Sequence, residues 1–114
     1  MRGPKRVPYA DLLPKPPTTL RGPVYPCVYP NWDNTPRSGR LGRVATGATP
    51  ERFGAHVRRG LELASALPEG EQVLVIKSWN EWAEGNYLEP DREFGTARLE
   101  ALQRELDRAG HIAR

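Results

Sequence analysis

The chain has few of the residues that cross-link a fold or bind metal. Its single cysteine, Cys27, excludes an internal disulfide and any cysteine-rich zinc site. The apolar run around it reads as the setting of a buried, inert thiol. The two histidines, His56 and His111, stand far apart and read as helix-surface or tail residues, so neither a metal nor a cofactor is expected. No stretch approaches the eighteen or so apolar residues of a membrane span. The basic Met1–Arg6 segment is not followed by the apolar core of a signal peptide, so a soluble, cytoplasmic protein is expected. Hydrophobic residues make up only 38% of the chain. Its 114 residues are also far fewer than the roughly 250 of a complete eight-fold βα barrel.

Charge is present but mixed. The formal net charge is +3 and the isoelectric point about 9.4. Arg52, Arg58, Arg59, Arg92, Arg98, Arg104 and Arg108 sit among Glu51, Glu62, Glu93, Glu100, Glu105 and Asp107. Interleaving of this kind describes solvated helix faces. The unbroken basic excess lies in Met1–Arg6 and Arg37–Arg43, without an RNA-binding or zinc-finger pattern, so no nucleic-acid partner is expected.

Proline divides the chain. Nine of the twelve prolines fall between Pro4 and Pro36. Residues 1–22 therefore read as an extended arm, since proline removes backbone donors and restricts its predecessor. A strand is predicted over 24–29, where Val24, Tyr25, Cys27, Val28 and Tyr29 suit a pleated surface despite Pro26 and Pro30. Residues 35–48 read as a loop. Thr49-Pro50-Glu51 is a helix start, with a capping hydroxyl, a proline at the first helical position and an acid at the positive end of the dipole. Phe53, Val57, Leu61, Ala64 and Leu67 then form one apolar stripe, predicting a helix over 50–67. Val73–Ile76 shows no alternation, as expected of a strand covered on both faces. A second helix is predicted over about 91–109, with Leu99, Leu102 and Leu106 in its stripe and Gly110 as its stop. Two βα units in this order imply parallel pairing. They are too few to close a core, so further sequence is expected to complete the sheet.

In βα architectures functional groups collect where strands end, which selects Asn31–Asn34 and Ser78–Glu89. Parallel neighbours lie about 5 Å apart, so both loops should share one mouth. Glu81 and Glu84 are the candidate catalytic pair, because glycosidic-bond chemistry needs one carboxyl to protonate the leaving oxygen and another as nucleophile or base. Trp32, Trp79 and Trp82 offer flat surfaces to the C–H faces of a sugar, and Asn31, Asn34, Asn80 and Asn86 offer hydroxyl partners. Asp33, Tyr87 and Glu89 complete the candidate substrate-binding set. Plainer readings exist for each. Glu-x-x-Glu can be a solvated helix face, tryptophans can plug a core, Asp33-Asn34 can form a turn, and Glu89-Pro90-Asp91 can begin a helix.

The segment Ser78-Trp-Asn-Glu-Trp-Ala-Glu-Gly-Asn-Tyr-Leu-Glu-Pro-Asp91, followed by Phe94-Gly95, resembles the C-terminal signature of WbsX-type glycosyltransferase-like proteins. That group is similar to the glycoside hydrolase family 99-like set, which includes endo-α-mannosidases. Tyr29-Pro-Asn-Trp-Asp-Asn-Thr-Pro-Arg37 resembles a second block, and Thr49-Pro-Glu-Arg-Phe53 the start of the intervening helix. The resemblance implies an α/β chain forming the last two βα units of a (β/α)8 TIM-type barrel, with residues 23–114 as its C-terminal part. It assigns catalysis to Glu81, as base toward the sugar's own 2-hydroxyl, and to Glu84, as acid and then base. It also implies a carbohydrate substrate in surface-polysaccharide (O-antigen or lipopolysaccharide) biosynthesis or processing, by transfer or hydrolysis. On this reading the chain alone is inactive and the missing barrel portion is a candidate partner chain. A non-catalytic remnant that binds sugar or a partner is the alternative.

Overall fold

The computed structural model of the protein describes residues 2–19 and 21–110, so His111 lies outside the described residues. The core forms around the helix with the strongest sequence signal. This helix, α2, spans Pro50–Ser65. Thr49 caps it, its hydroxyl accepting from the Arg52 N–H at 3.3 Å, and Pro50 opens its first turn. Phe53 and Val57 on its inner face are buried, together with Val28 and Leu88, while Leu61, Leu74, Ile76, Leu99 and Leu102 pack around them.

Three short pairings surround this core. Strand β1 (Lys5–Pro8) runs parallel to β3 (Arg43–Thr46), β2 (Cys27–Val28) parallel to β4 (Val75–Ile76), and β5 (Asn80–Glu81) antiparallel to β6 (Asn86–Tyr87). A single helical turn, α1, occupies Thr35–Ser38, and a last helix, α3, occupies Ala97–Arg108. The fold is thus mixed α/β, and the strands on either side of α2 pair in parallel as expected.

Two small residues on α2 set the spacing of the layers. A Cβ at Gly60 would lie 2.6 Å from Leu74 Cδ1 and 3.2 Å from Val28 Cγ1, so the sheet approaches the helix closely there. A Cβ at Gly54 would lie 3.6 Å from the Ala101 Cβ, on the seam with α3. The same seam carries a two-pronged ion pair, with Arg58 Nε and Nη2 donating to Glu105 at 2.9 and 2.8 Å.

Several elements differ from the sequence expectation. The strand predicted over 24–29 narrows to Cys27–Val28, because Pro23, Pro26 and Pro30 have no N–H to give a ladder. Pro26 still accepts from the Val75 N–H at 2.9 Å. The β2–β4 pair is covered on one face only. Val28, Leu74 and Ile76 meet α2, whereas Tyr25, Val73 and Val75 on the other side are 42–45% exposed. The expected loop over 35–48 contains α1 and β3, and the proline-rich arm contributes β1.

The arm is pinned beyond β1 by Tyr9. This fully buried ring stacks on His56 of α2, with centroids 4.1 Å apart, and its hydroxyl donates to the Tyr29 carbonyl. His56, read from the sequence as a helix-surface residue, is only 3% exposed, and its Nδ1 has no partner among the described residues. Burial lowers the imidazole pKa below its usual 6.5. The stability this gives is fully present above about pH 6.5 and lost as pH falls through the lowered value. The urea midpoint of the chain is expected to drop between about pH 7.5 and 5.5. A His56→Phe variant should flatten that slope.

Candidate active site

The two loops predicted to share a mouth are joined by backbone and amide hydrogen bonds. One follows β2 and the other follows β4. The Tyr87 N–H donates to Asn31 Oδ1 at 3.0 Å, Asn86 Nδ2 donates to the Asn31 carbonyl at 2.7 Å, and the Asp33 N–H donates to the Glu84 carbonyl at 2.9 Å. Asn86 is fully buried to do this. The second loop is also closed on itself. Ser78 Oγ donates to the Asn86 carbonyl at 2.6 Å and accepts from the Glu81 N–H at 3.2 Å.

Gly85 makes the approach of the loops possible. It sits in the left-handed region at φ 53°, ψ 38°, after the turn Trp82–Glu84. A Cβ there would lie 2.6 Å from the Asp33 carbonyl oxygen and 2.8 Å from its nitrogen, both backbone atoms with little room to move. Gly85→Ala is therefore expected to cost about 1–3 kcal/mol through strain and separation of the loops. A fall in the urea midpoint would measure this.

The candidate residues fall into two clusters. In the first, Glu84 is partly buried and accepts from Lys77 Nζ at 3.1 Å and Arg37 Nη1 at 3.3 Å. The same Lys77 ammonium lies 5.0 Å from the centre of the Trp32 ring, which meets Tyr29 edge-on. Lys77 thus touches both loops. Asp33 Oδ1 accepts from the Thr35 N–H and hydroxyl at 2.9 and 2.6 Å, and Asn34 Oδ1 from the Arg43 N–H at 2.6 Å. These acceptors stabilise the turn into α1 and its junction with β3.

In the second cluster Trp82 stacks on Tyr87 with centroids 3.7 Å apart and planes 12° apart. Its indole N–H donates to Glu89 at 2.6 Å, which fixes the ring while leaving it 46% exposed. Trp79 is 55% exposed, and its carbonyl accepts from the Leu88 and Glu89 N–H groups. Asn80 is exposed on β5. Glu81, beside it, is partly buried, and its carboxylate has no ion pair or hydrogen bond among the described residues.

Sequence reasoning missed the residues that support these groups. Lys77 and Arg37 hold Glu84, and the position of Lys77 at the exit of an apolar strand was the available signal. The sequence reads Asp91 only as part of a helix start and Arg98 as part of a solvated helix face, whereas Arg98 is buried, 5% exposed. Asp91 receives the Tyr87 hydroxyl at 3.1 Å and Arg98 Nη1 at 2.6 Å, so it supports the stacked pair from below. Among the described residues, no cluster of three or more His, Cys, Asp or Glu is arranged to hold a metal ion, and no helix is long and apolar enough to cross a membrane.

A family profile described as Glycosyltransferase WbsX matches residues 6–102. The chain belongs to the WbsX glycosyltransferase family. Two relatives, each described as uncharacterized protein WxcX and each from a strain of Xanthomonas campestris pv. campestris, are 42% identical to it over 92 residues. The aligned region covers 79% of this chain and 13% of either relative, so the chain spans about an eighth of their length. No solved structure matches it. The WbsX match includes both loops and the helix between them.

Proposed function

We propose that the chain is part of a carbohydrate-active enzyme that makes or cleaves glycosidic bonds during surface-polysaccharide biosynthesis or processing. Membership of the WbsX family over residues 6–102 carries this reading, because it implies a carbohydrate substrate. The parallel β2–β4 pair around α2 is compatible with the last two units of a (β/α)8 barrel related to the family 99 glycoside hydrolases. The open apolar face at Tyr25, Val73 and Val75 would then meet the remaining strands.

On this reading Glu81 and Glu84 divide the chemistry. Glu81, whose carboxylate has no other partner among the described residues, takes the base role toward the 2-hydroxyl of the sugar. As the 2-oxygen displaces the leaving group at the anomeric carbon, Glu84 protonates the departing glycosidic oxygen, and it then takes a proton from the water or acceptor hydroxyl that opens the resulting three-membered ring, with Lys77 and Arg37 fixing its position. Trp79 and Trp82 offer their exposed ring surfaces to the sugar. The test on this chain is titration with O-polysaccharide oligosaccharides, read by tryptophan fluorescence. Trp82→Ala should weaken binding about tenfold through loss of a pre-positioned aromatic surface. No response to any oligosaccharide would count against a sugar site.

One observation favours a second reading. Glu84 is held by two cations, an arrangement that also suits a purely structural carboxylate. A non-catalytic remnant would bind sugar through the same tryptophans and turn nothing over, even when combined with the rest of a barrel.

A further inference from the structure

The two basic runs of the sequence are separated by about thirty residues, yet the fold joins them. β1 lies parallel to β3 in a register that places Lys5 beside Arg43, with the Lys5 N–H donating to the Gly42 carbonyl at 2.9 Å. Arg2, Lys5, Arg40, Leu41 and Gly42 line one shallow depression on this edge. Residues 2–10 and 34–50 contain no aspartate or glutamate. Of the acids near this side, Glu84 is paired with Arg37 and Lys77, and Asp33, bridged to Val44 of β3, accepts from the Thr35 N–H and hydroxyl. Arg2, Lys5 and Arg43 form no ion pair among the described residues, and Lys5 and Arg43 are exposed. Leu41, which lines the same depression, is 93% exposed.

We propose that this edge is a docking face for an anionic phospholipid surface. A single exposed leucine is ordinary on a protein surface, and scattered cations are equally so. The combination is different. A cationic cluster is attracted by the negative potential of an anionic leaflet and acts within about a Debye length of it. An exposed apolar side chain beside it gains by entering the headgroup boundary. Electrostatic attraction and apolar insertion together give the two weak signals that reversible membrane attachment requires. A face for single-stranded nucleic acid would present stacking aromatics among its cations, and the residue here is an aliphatic side chain; duplex binding through phosphates alone is an outcome of the test below. The face is built from segments outside Trp79–Glu89, and its β3 strand is bonded to the other candidate loop, Asn34 Oδ1 accepting from the Arg43 N–H at 2.6 Å.

The test is co-sedimentation of the 114-residue chain with vesicles. One set contains about 30% phosphatidylglycerol in phosphatidylcholine and the other phosphatidylcholine alone, at about 50 mM salt and again at about 500 mM. The chain should partition to the anionic vesicles at low salt, lose that binding at high salt and ignore the neutral ones. Lys5→Gln with Arg43→Gln should lower the partition coefficient about 25-fold, on the basis of about fivefold per cation. Leu41→Ser should lower it several-fold while leaving the far-UV circular dichroism unchanged. Arg92→Gln with Arg104→Gln removes the same charge from exposed positions off this edge and should change binding by less than about twofold. Three outcomes would overturn the proposal: no partitioning at low salt, an equal loss in the Arg92/Arg104 pair, or DNA binding that depends on Lys5 and Arg43 in place of vesicle binding.

Discussion

Glu81→Gln is expected to lower glycosidic turnover by about a hundredfold to ten-thousandfold, the range supplied by a positioned general acid or base. The assay needs the segment within a complete barrel, so that the sugar has its other subsites. Glutamine keeps the size of the side chain and removes its basicity. Because the Glu81 carboxylate has no ion pair or hydrogen bond among the described residues, its replacement should leave the urea midpoint unchanged. Glu84→Gln should also abolish turnover, but it leaves Lys77 and Arg37 facing a neutral amide. A measurable loss of stability is therefore expected from the second variant only. Undiminished turnover in both would remove the catalytic assignment. Undiminished turnover in Glu84→Gln alone, with the stability loss, would make that residue an anchor for the loop.

This asymmetry between the two glutamates could not be read from their spacing. Glu-x-x-Glu after an apolar strand indicates two carboxylates near a strand exit and is silent about their partners. The cations that hold Glu84 come from 7 and 47 residues away, and both contacts depend on how the loops fold together. What was legible was local or periodic. The Thr49-Pro50-Glu51 start and the Phe53-to-Ala64 stripe mark α2, and the four apolar residues at Val73–Ile76 mark where β4 lies. That the two loops meet followed from parallel pairing, and the Asn31–Tyr87 and Asp33–Glu84 bonds are its realisation.

The strands β1 and β3 were not legible for a physical reason. Each is short and bounded by proline or glycine, which locally favour turns: β1 follows Pro4 and ends on Pro8, and β3 lies between Gly42 and Gly47. Only their pairing across 38 residues of chain defines them as strands. The start of α3 was misplaced for a related reason. Asp91 has the chemistry of a helix cap, and a cap for residue 94 is what it forms, its Oδ1 accepting from the Phe94 N–H at 2.7 Å. Gly95, at φ 56°, then turns the chain, and the helix begins at Ala97.

The other oxygen of Asp91 leads to the largest expected effect on stability. Asp91 and Arg98 form an ion pair at 2.6 Å with side chains only 7% and 6% exposed. Arg98 also lies beneath the Tyr87 and Phe94 rings, 5.6 and 4.9 Å from their centres. Asp91→Ala would strand the guanidinium in this setting, and breaking one side of such a pair costs about 3–5 kcal/mol. Against the 5–15 kcal/mol that typically holds a domain folded, the urea midpoint should collapse. Replacing both partners, Asp91→Ala with Arg98→Met, should recover much of the loss, because no uncompensated charge remains. A double variant no more stable than Asp91→Ala alone would show that the cost comes from the lost Phe94 and Tyr87 hydrogen bonds. Acid should act on the same group. Burial alone would raise the Asp91 carboxyl, but the Phe94 N–H, the Arg98 guanidinium and the Tyr87 hydroxyl outweigh it and hold its pKa below the ordinary 3.8. Glu105 is likewise held below its ordinary 4.5, first by the hydrogen bonds from Arg58. Both carboxylates thus contribute stability that is present above about pH 4.5 and lost as pH falls through their lowered values. Unfolding in acid should therefore set in below about pH 4, and Asp91→Asn should make the chain less stable at neutral pH and flatten this acid limb.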